Sequence, residues 1–206
     1  MHIAIFGATG GTGKEIVKQL LTAGHEVTAL VRDSSKVKKK EDKLYLVVGD
    51  VLDIHKVEEA LAAADAVICT LGNSSNNPDD VVSQGTDNII ESMKKQGISR
   101  LVVVSSMGVG DSIEQVSRSF KMLTKTVLRK SIEDKERQES IVMASELDWV
   151  IVRPSGLSNG PATGEYYFGT DKTIEANQIS RADVAACVIE QLFDDTYLCQ
   201  APVITY

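Results

Sequence analysis

Residues 2–21 impose the strongest constraint on what this chain folds into. His2-Ile3-Ala4-Ile5-Phe6 is a short apolar run. It is followed by Gly7-Ala8-Thr9-Gly10-Gly11-Thr12-Gly13, with glycine at every third position, and then by Ile16, Val17, Leu20 and Leu21 at helical spacing. An apolar run, a glycine-rich turn and an amphipathic segment read as strand, tight turn and helix. Gly7 lets the chain reverse as it leaves the strand. Gly10 leaves no Cβ where a diphosphate would approach the backbone, and Gly13 lets the helix lie close to the sheet. The free N–H groups of the first helical turn then face an anion. The G-x-x-G-x-x-G spacing is a variant of the dinucleotide turn, so the expected contacts to a dinucleotide are Gly7, Thr9, Gly10, Gly11, Thr12 and Gly13. A glycine-rich turn that holds no ligand is the competing reading. A triphosphate-binding loop is excluded, because Glu15 follows Gly13-Lys14 where Ser or Thr is needed, and Ala8 stands where the loop requires its first glycine.

Strand-like and helix-like segments then alternate. Apolar runs at 26–31, 44–48, 66–70, 100–104 and 147–154 read as strands, separated by helical patterns at 57–64, at 79–96 (ended by Gly97) and within 113–145. Ser180-Arg181-Ala182-Asp183 is a capping box opening a last helix over 184–193, and residues 202–206 add a final strand. This alternation predicts an α/β doubly wound parallel sheet in a single domain over 1–206, long enough to bury a sheet between two helix layers. The substrate-side loops are expected mainly at 72–78, 107–112 and 155–178. The last of these lacks periodicity and carries Tyr166-Tyr167-Phe168, whose faces suit a planar ring or pack into the core.

In such a sheet the ligand lies beyond the carboxyl ends of the strands. After the second strand, Arg32 suits a ribose 2′-phosphate and Ser35 can donate to it, so NADP(H) is the expected cofactor. Asp33 is the opposing residue and keeps NAD(H) as the lesser expectation. Lys36-Val37-Lys38-Lys39-Lys40 either extends the phosphate field or forms a solvated loop. Asp50 and Val51 follow the third strand beside the adenine, although Asp50 suits a turn or helix cap equally well. Leu71 and Gly72 follow the fourth strand, Ser105 and Ser106 the fifth, and Pro154 ends the sixth. Ser106 is the candidate catalytic hydroxyl, orienting carboxamide or acceptor, unless these serines only bond nearby backbone.

Composition narrows the class. The net charge of −7 denies a nucleic-acid partner the broad basic field it needs. No apolar run approaches the roughly 18 residues of a membrane span. Three widely spaced cysteines, with no C-x-x-C pair, read as reduced thiols. The first strand begins at His2 and leaves no room for a leader, so a cytoplasmic monomer or small homo-oligomer is expected.

With these pieces placed, the chain resembles the atypical short-chain dehydrogenase/reductases, which have a Rossmann fold, over nearly its whole length. The likeness rests on Gly7 to Gly13, Gly49-Asp50-Val51, Asp65-Ala66-Val67-Ile68, Val104-Ser105-Ser106, Trp149-Val150-Ile151-Val152-Arg153-Pro154 and Ile179-Ser180-Arg181-Ala182-Asp183-Val184-Ala185. Within that group, Leu30-Val31-Arg32-Asp33-Ser34-Ser35 and Val47-Val48-Gly49-Asp50-Val51-Leu52 are similar to the flavin reductase/biliverdin-IXβ reductase branch. The resemblance implies NADPH-dependent reduction of a flat, conjugated acceptor such as a flavin, a linear tetrapyrrole or a quinone. Ser106 matches that branch's strand-five serine, and Lys135 stands where the branch has a His, still able to contact cofactor. Gly156 and Ser74 replace the branch's substrate-side His and Arg. The wider group's Tyr-x-x-x-Lys pair is absent, since no tyrosine has Lys four residues later, so ketone–alcohol interconversion is disfavoured. A non-catalytic NADP(H)-responsive regulator is the alternative function. A nucleotide-sugar epimerase fits less well, because the chain is short for a separate sugar lobe.

Overall fold

A computed structural model describes residues 1–37, 41–73 and 79–206. Lys38, Lys39 and Lys40 of the basic run, and Ser74 to Pro78 of the loop expected at 72–78, lie outside the described residues. The elements in chain order are β1 (His2–Phe6), α1 (Gly11–Thr22), β2 (Glu26–Val31), β3 (Leu44–Val48), α2 (Ile54–Leu61), β4 (Ala66–Cys69), α3 (Val81–Gln96), β5 (Arg100–Val104), α4 (Arg118–Thr124) and α5 (Arg129–Met143). The chain continues through β6 (Asp148–Pro154), β7 (Gly156–Ser158), β8 (Tyr167–Gly169), β9 (Gln178–Ser180), α6 (Arg181–Glu190) and β10 (Val203–Thr205).

The main sheet has the order β3-β2-β1-β4-β5-β6-β10-β8. Every pair from β3 to β10 is parallel, and β8 alone runs antiparallel, against β10. Strand order reverses between β1 and β4, which opens a crevice at the carboxyl ends of those strands. β1, β2, β4, β5 and β6 are buried on both faces, which explains why they read as unbroken apolar runs, while the edge strand β3 leaves Tyr45, Leu46 and Val48 exposed. Successive β1 side chains point to opposite sides. Ile3 and Ile5 pack with Ile16, Leu20, Val184 and Val188 of α1 and α6. Ala4 and Phe6 face Val57, Leu61, Ile89, Met93 and Val142 of α2, α3 and α5. This is the doubly wound Rossmann architecture.

The last helix runs over Arg181–Glu190 where 184–193 is expected, since Ser180 caps it directly by accepting the Asp183 N–H, and three further stretches depart from the expectations. The second helix starts at Ile54, not 57, because the Asp53 carboxylate accepts the N–H groups of His55 and Lys56 and caps it there. The 113–145 stretch is broken into a 3-10 turn (Gly110–Gln115), α4 and α5; Ser117 caps α4 by accepting the Phe120 N–H at 3.2 Å. Residues 155–178, expected as loop, carry β7 and β8 and lead into β9, which pairs with β7 in a two-stranded sheet. Because β8 hydrogen-bonds to β10, Phe168 is drawn inward and meets Tyr197 edge-to-face at 4.8 Å, while Tyr166 packs against the core. The aromatic cluster therefore packs rather than offering its faces to a ring.

Candidate active site

The β1–α1 turn is built by contacts that only glycine permits. Gly7 has φ +92°, and a Cβ there would stand 2.6 Å from the Thr70 carbonyl oxygen. At Gly13 a Cβ would lie 2.2 Å from the Gly7 carbonyl oxygen. Gly10 caps α1 in extended geometry with no side-chain cap, and no acidic residue occupies the first turn. The leading N–H groups of α1 thus point outward without an intrahelical acceptor, the arrangement that binds phosphate.

They open into a cavity of about 590 Å³ at the carboxyl ends of the strands, within the usual range for small-molecule sites. Its floor on the β2–β3 side is made by Leu30, Val31, Arg32, Lys36, Asp50 and Val51. The centre holds Gly7 and Thr9 to Gly13, with the Arg181 side chain against Gly11. On the β4–β5 side stand Leu71, Gly72, Asn73, Val104, Ser105 and Lys135, with Leu157 of β7.

Two buried polar atoms at this last end are without a partner among the described residues: the Ser105 hydroxyl and the Asn73 side-chain carbonyl oxygen. Leaving such groups unpaired costs about 1–3 kcal/mol each, a cost that a polar group bound at this end would relieve. Lys135 donates from Nζ to the Val104 carbonyl at 3.2 Å. Burial pushes its ammonium below the usual lysine range, against the opposing fields of Cys69, Glu139 and Asp134. Its position is fixed from both sides of α5. One residue before it, the buried Asp134 carboxylate accepts the N–H groups of Val82 and Ser83 at 3.0 Å each and so caps α3; it also accepts from Asn73. One turn after it, Glu139 takes a two-pronged bond from Arg153 of β6 (3.0 and 2.6 Å). Arg153 also holds Asp111 at 2.6 Å, which ties the 107–112 loop to α5 and lowers the Asp111 carboxyl below its usual range.

Three expected site residues lie off the cavity lining. Ser106, the candidate catalytic hydroxyl, donates to the Met107 carbonyl at 3.0 Å, while Ser105 faces the cavity. Ser35 donates its hydroxyl to Asp33 at 2.6 Å, and this bond with the Ser35 N–H holds the Asp33 carboxyl below the usual range. The pair closes a 3-10 turn, and Lys36 lines the cavity instead. Pro154 accepts the Met107 N–H at 2.8 Å and is occupied in holding that loop. Asp50 both lines the cavity and accepts the Leu52 N–H at 2.9 Å, so the turn role is present there. Sequence reasoning weighed Lys36 only within the basic run and missed Asn73, Arg181 and Gly85. An added Cβ at Gly85 would stand 2.6 Å from Val51 and 3.1 Å from Leu71, so this glycine lets α3 close against the cavity wall. The lone glycine within a helical pattern was the available signal.

The family model for NAD(P)H-binding proteins matches residues 7–195. The chain belongs to the NAD(P)H-binding family. An uncharacterised chloroplastic protein of Arabidopsis thaliana is 33% identical to this NAD(P)H-binding protein over 202 residues, 94% of this chain and 72% of the plant one. Among solved structures, the anaerobilin reductase ChuY of Escherichia coli O157:H7 superposes with a TM-score of 0.84 at 27% identity, covering 100% of this chain and 97% of that one. A short-chain dehydrogenase/reductase of Veillonella parvula in complex with NADP shares the fold (TM-score 0.82, 18% identity, 100% and 94% coverage). These likenesses agree with an atypical short-chain dehydrogenase/reductase near the biliverdin reductases, an oxidoreductase-type fold for a nicotinamide nucleotide. Among the described residues no helix is long and apolar enough to cross a membrane, and no acid, His or Cys cluster is arranged to hold a metal.

Proposed function

We propose that this protein is an NADPH-dependent reductase that passes hydride to a planar conjugated acceptor: a flavin, a linear tetrapyrrole or a quinone. The observation that carries this reading is the composition of the β4–β5 end of the cavity. Apolar walls (Leu71, Val104, Leu157) stand beside an orphaned hydroxyl and a half-buried lysine, with no Tyr, His, Asp or Glu on its described lining. Alcohol–ketone chemistry needs a placed acid for the alkoxide. Hydride transfer to a delocalised ring needs chiefly stacking and alignment, after which water protonates the reduced acceptor.

The residues divide by cavity region. Gly11 to Gly13 present backbone N–H groups to the pyrophosphate, while Gly7 and Thr9 shape that turn and the Gly10 N–H closes it on the Gly7 carbonyl at 3.0 Å. Arg32 and Lys36 meet a 2′-phosphate, and Asp50 and Val51 border the adenine. Leu71, Gly72, Ser105 and Lys135 hold the nicotinamide end, with the 107–112 and 155–178 segments bounding the acceptor side. When bound, the reduced nicotinamide supplies the hydride. The lack of a Tyr, His or carboxylate on the described lining of the acceptor end also favours the alternative, a protein that senses NADP(H) without turnover. Stopped-flow mixing of protein and NADPH with riboflavin, menadione or biliverdin separates the two. Oxidation above the free-solution rate with at least one acceptor is expected; tight NADPH binding with no acceleration for any of them would transfer the case to the sensor.

A further inference from the structure

The cavity contains a cation that the dinucleotide turn does not explain. Arg181 is the first residue of α6, where a positive side chain opposes the helix macrodipole. Among the described residues no carboxylate pairs with it; its one side-chain bond is Nη1 to Asn159 Oδ1 at 2.7 Å. The nearby first-turn acid, Asp183, is turned away, accepting from Ser180, Tyr206, Thr163 and Gly164. The arginine leans instead over the beginning of α1: a Cβ added at Gly11 would lie 2.5 Å from Arg181 Nε and 2.8 Å from its Cδ. The two helices are tied beside this point by Gln19 Nε2 donating to the Ala182 carbonyl at 2.9 Å. An uncapped helix start with no acid in its first turn and an unneutralised guanidinium therefore converge on one spot of the cavity. Gly11, which the every-third-residue spacing does not require, is the residue that lets the guanidinium in.

We infer that Arg181 binds the bridging diphosphate at the start of α1, so that the anion is held jointly by backbone N–H groups and a guanidinium. One N–H of the five is spent on Asn159, leaving the remainder of the fork for phosphate oxygens. Since Asn159 lies just beyond β7, the same side chain links the phosphate site to the segment that bounds the acceptor side. The inference rests on the dinucleotide reading above, and its test is chosen so that the two fail separately.

Calorimetry with NADPH, inorganic pyrophosphate and 2′-AMP, on wild type, Arg181→Ala and Asn159→Ala with folding checked by circular dichroism, is the experiment. Arg181→Ala is expected to weaken NADPH and pyrophosphate roughly 10- to 100-fold, the size of a lost charge-assisted bond. It should leave 2′-AMP, which lacks the diphosphate, within twofold, and Asn159→Ala, which removes only the bond holding the guanidinium, should cost NADPH and pyrophosphate less than Arg181→Ala does. Wild-type affinity for pyrophosphate in Arg181→Ala, an equal loss for 2′-AMP, an Asn159→Ala loss as large as that of Arg181→Ala, or no pyrophosphate uptake by the wild type would each overturn the assignment. Arg181-dependent pyrophosphate binding without NADPH binding would sink the nicotinamide reading and leave the role of Arg181 standing.

Discussion

Gly10 and Gly13 sit three residues apart in one turn, yet the structure gives them different work, and alanine at each position separates the two. At Gly13 the added Cβ meets only backbone: the Gly7 carbonyl oxygen at 2.2 Å, the Gly7 carbonyl carbon at 2.9 Å and the Ala8 Cα at 3.0 Å. No flexible side chain is there to swing aside, so α1 must retreat by about 1.2 Å to reach the 3.4 Å at which ordinary contact begins. Overpacking of this kind costs about 1–3 kcal/mol, against a gain of about 1 kcal/mol from replacing a helical glycine. Because the obstacle is rigid, a net loss of about 1–2 kcal/mol is expected. At Gly10 the nearest atom is 3.3 Å away, and φ −70° with ψ 168° is open to any residue. Gly10→Ala should therefore lower stability by no more than about 1 kcal/mol, the weaker capping of alanine, while its methyl group stands where the diphosphate approaches. Urea denaturation and NADPH calorimetry on both variants measure this. Gly13→Ala should lose stability and binding together, whereas Gly10→Ala should stay folded and lose at least tenfold in affinity. A Gly10→Ala protein that binds as wild type does, or a Gly13→Ala protein as stable as wild type, would refute the geometry.

Arg32→Ala should weaken NADPH roughly 10- to 100-fold and NADH less than threefold, read by fluorescence titration; matched losses would place recognition of the 2′-phosphate elsewhere. Asp183 carries the acid sensitivity of the acceptor-side segment. Burial alone would raise its carboxyl, but donors from Tyr206, Thr163, Gly164 and Ser180 hold it at about 2. Its folded value lies below the unfolded one, so its contribution of about 2 kcal/mol is complete above roughly pH 4 and fades as pH falls towards 2. The stability advantage of wild type over Asp183→Asn should thus be largest near neutrality and shrink in acid, and a difference independent of pH would refute it.

Much of this was legible before any coordinates. The glycine periodicity and the apolar run before it constrain a few adjacent residues so tightly that strand, turn and helix follow from sterics and backbone hydrogen bonding alone. The branched apolar runs announce a sheet covered on both faces for the same local reason, and the missing Tyr-x-x-x-Lys pair limits the chemistry without reference to position. What sequence did not reveal are matters of which side chain finds which partner at long range. Ser105 and Ser106 are alike as letters, and only the pairing of the Met107 N–H with Pro154 and the Ser106 bond to Met107 decide which hydroxyl faces the cavity. Ser35 is taken by Asp33, Tyr167 and Phe168 by the strand that β10 makes possible, and Arg181 belongs to the site because α6 packs beside α1. Local stereochemistry, which reaches a few residues along the chain, wrote the dinucleotide turn; the rest of the cavity depends on contacts between segments up to 170 residues apart (Gly11 to Arg181), and these exist only once the sheet has brought them together.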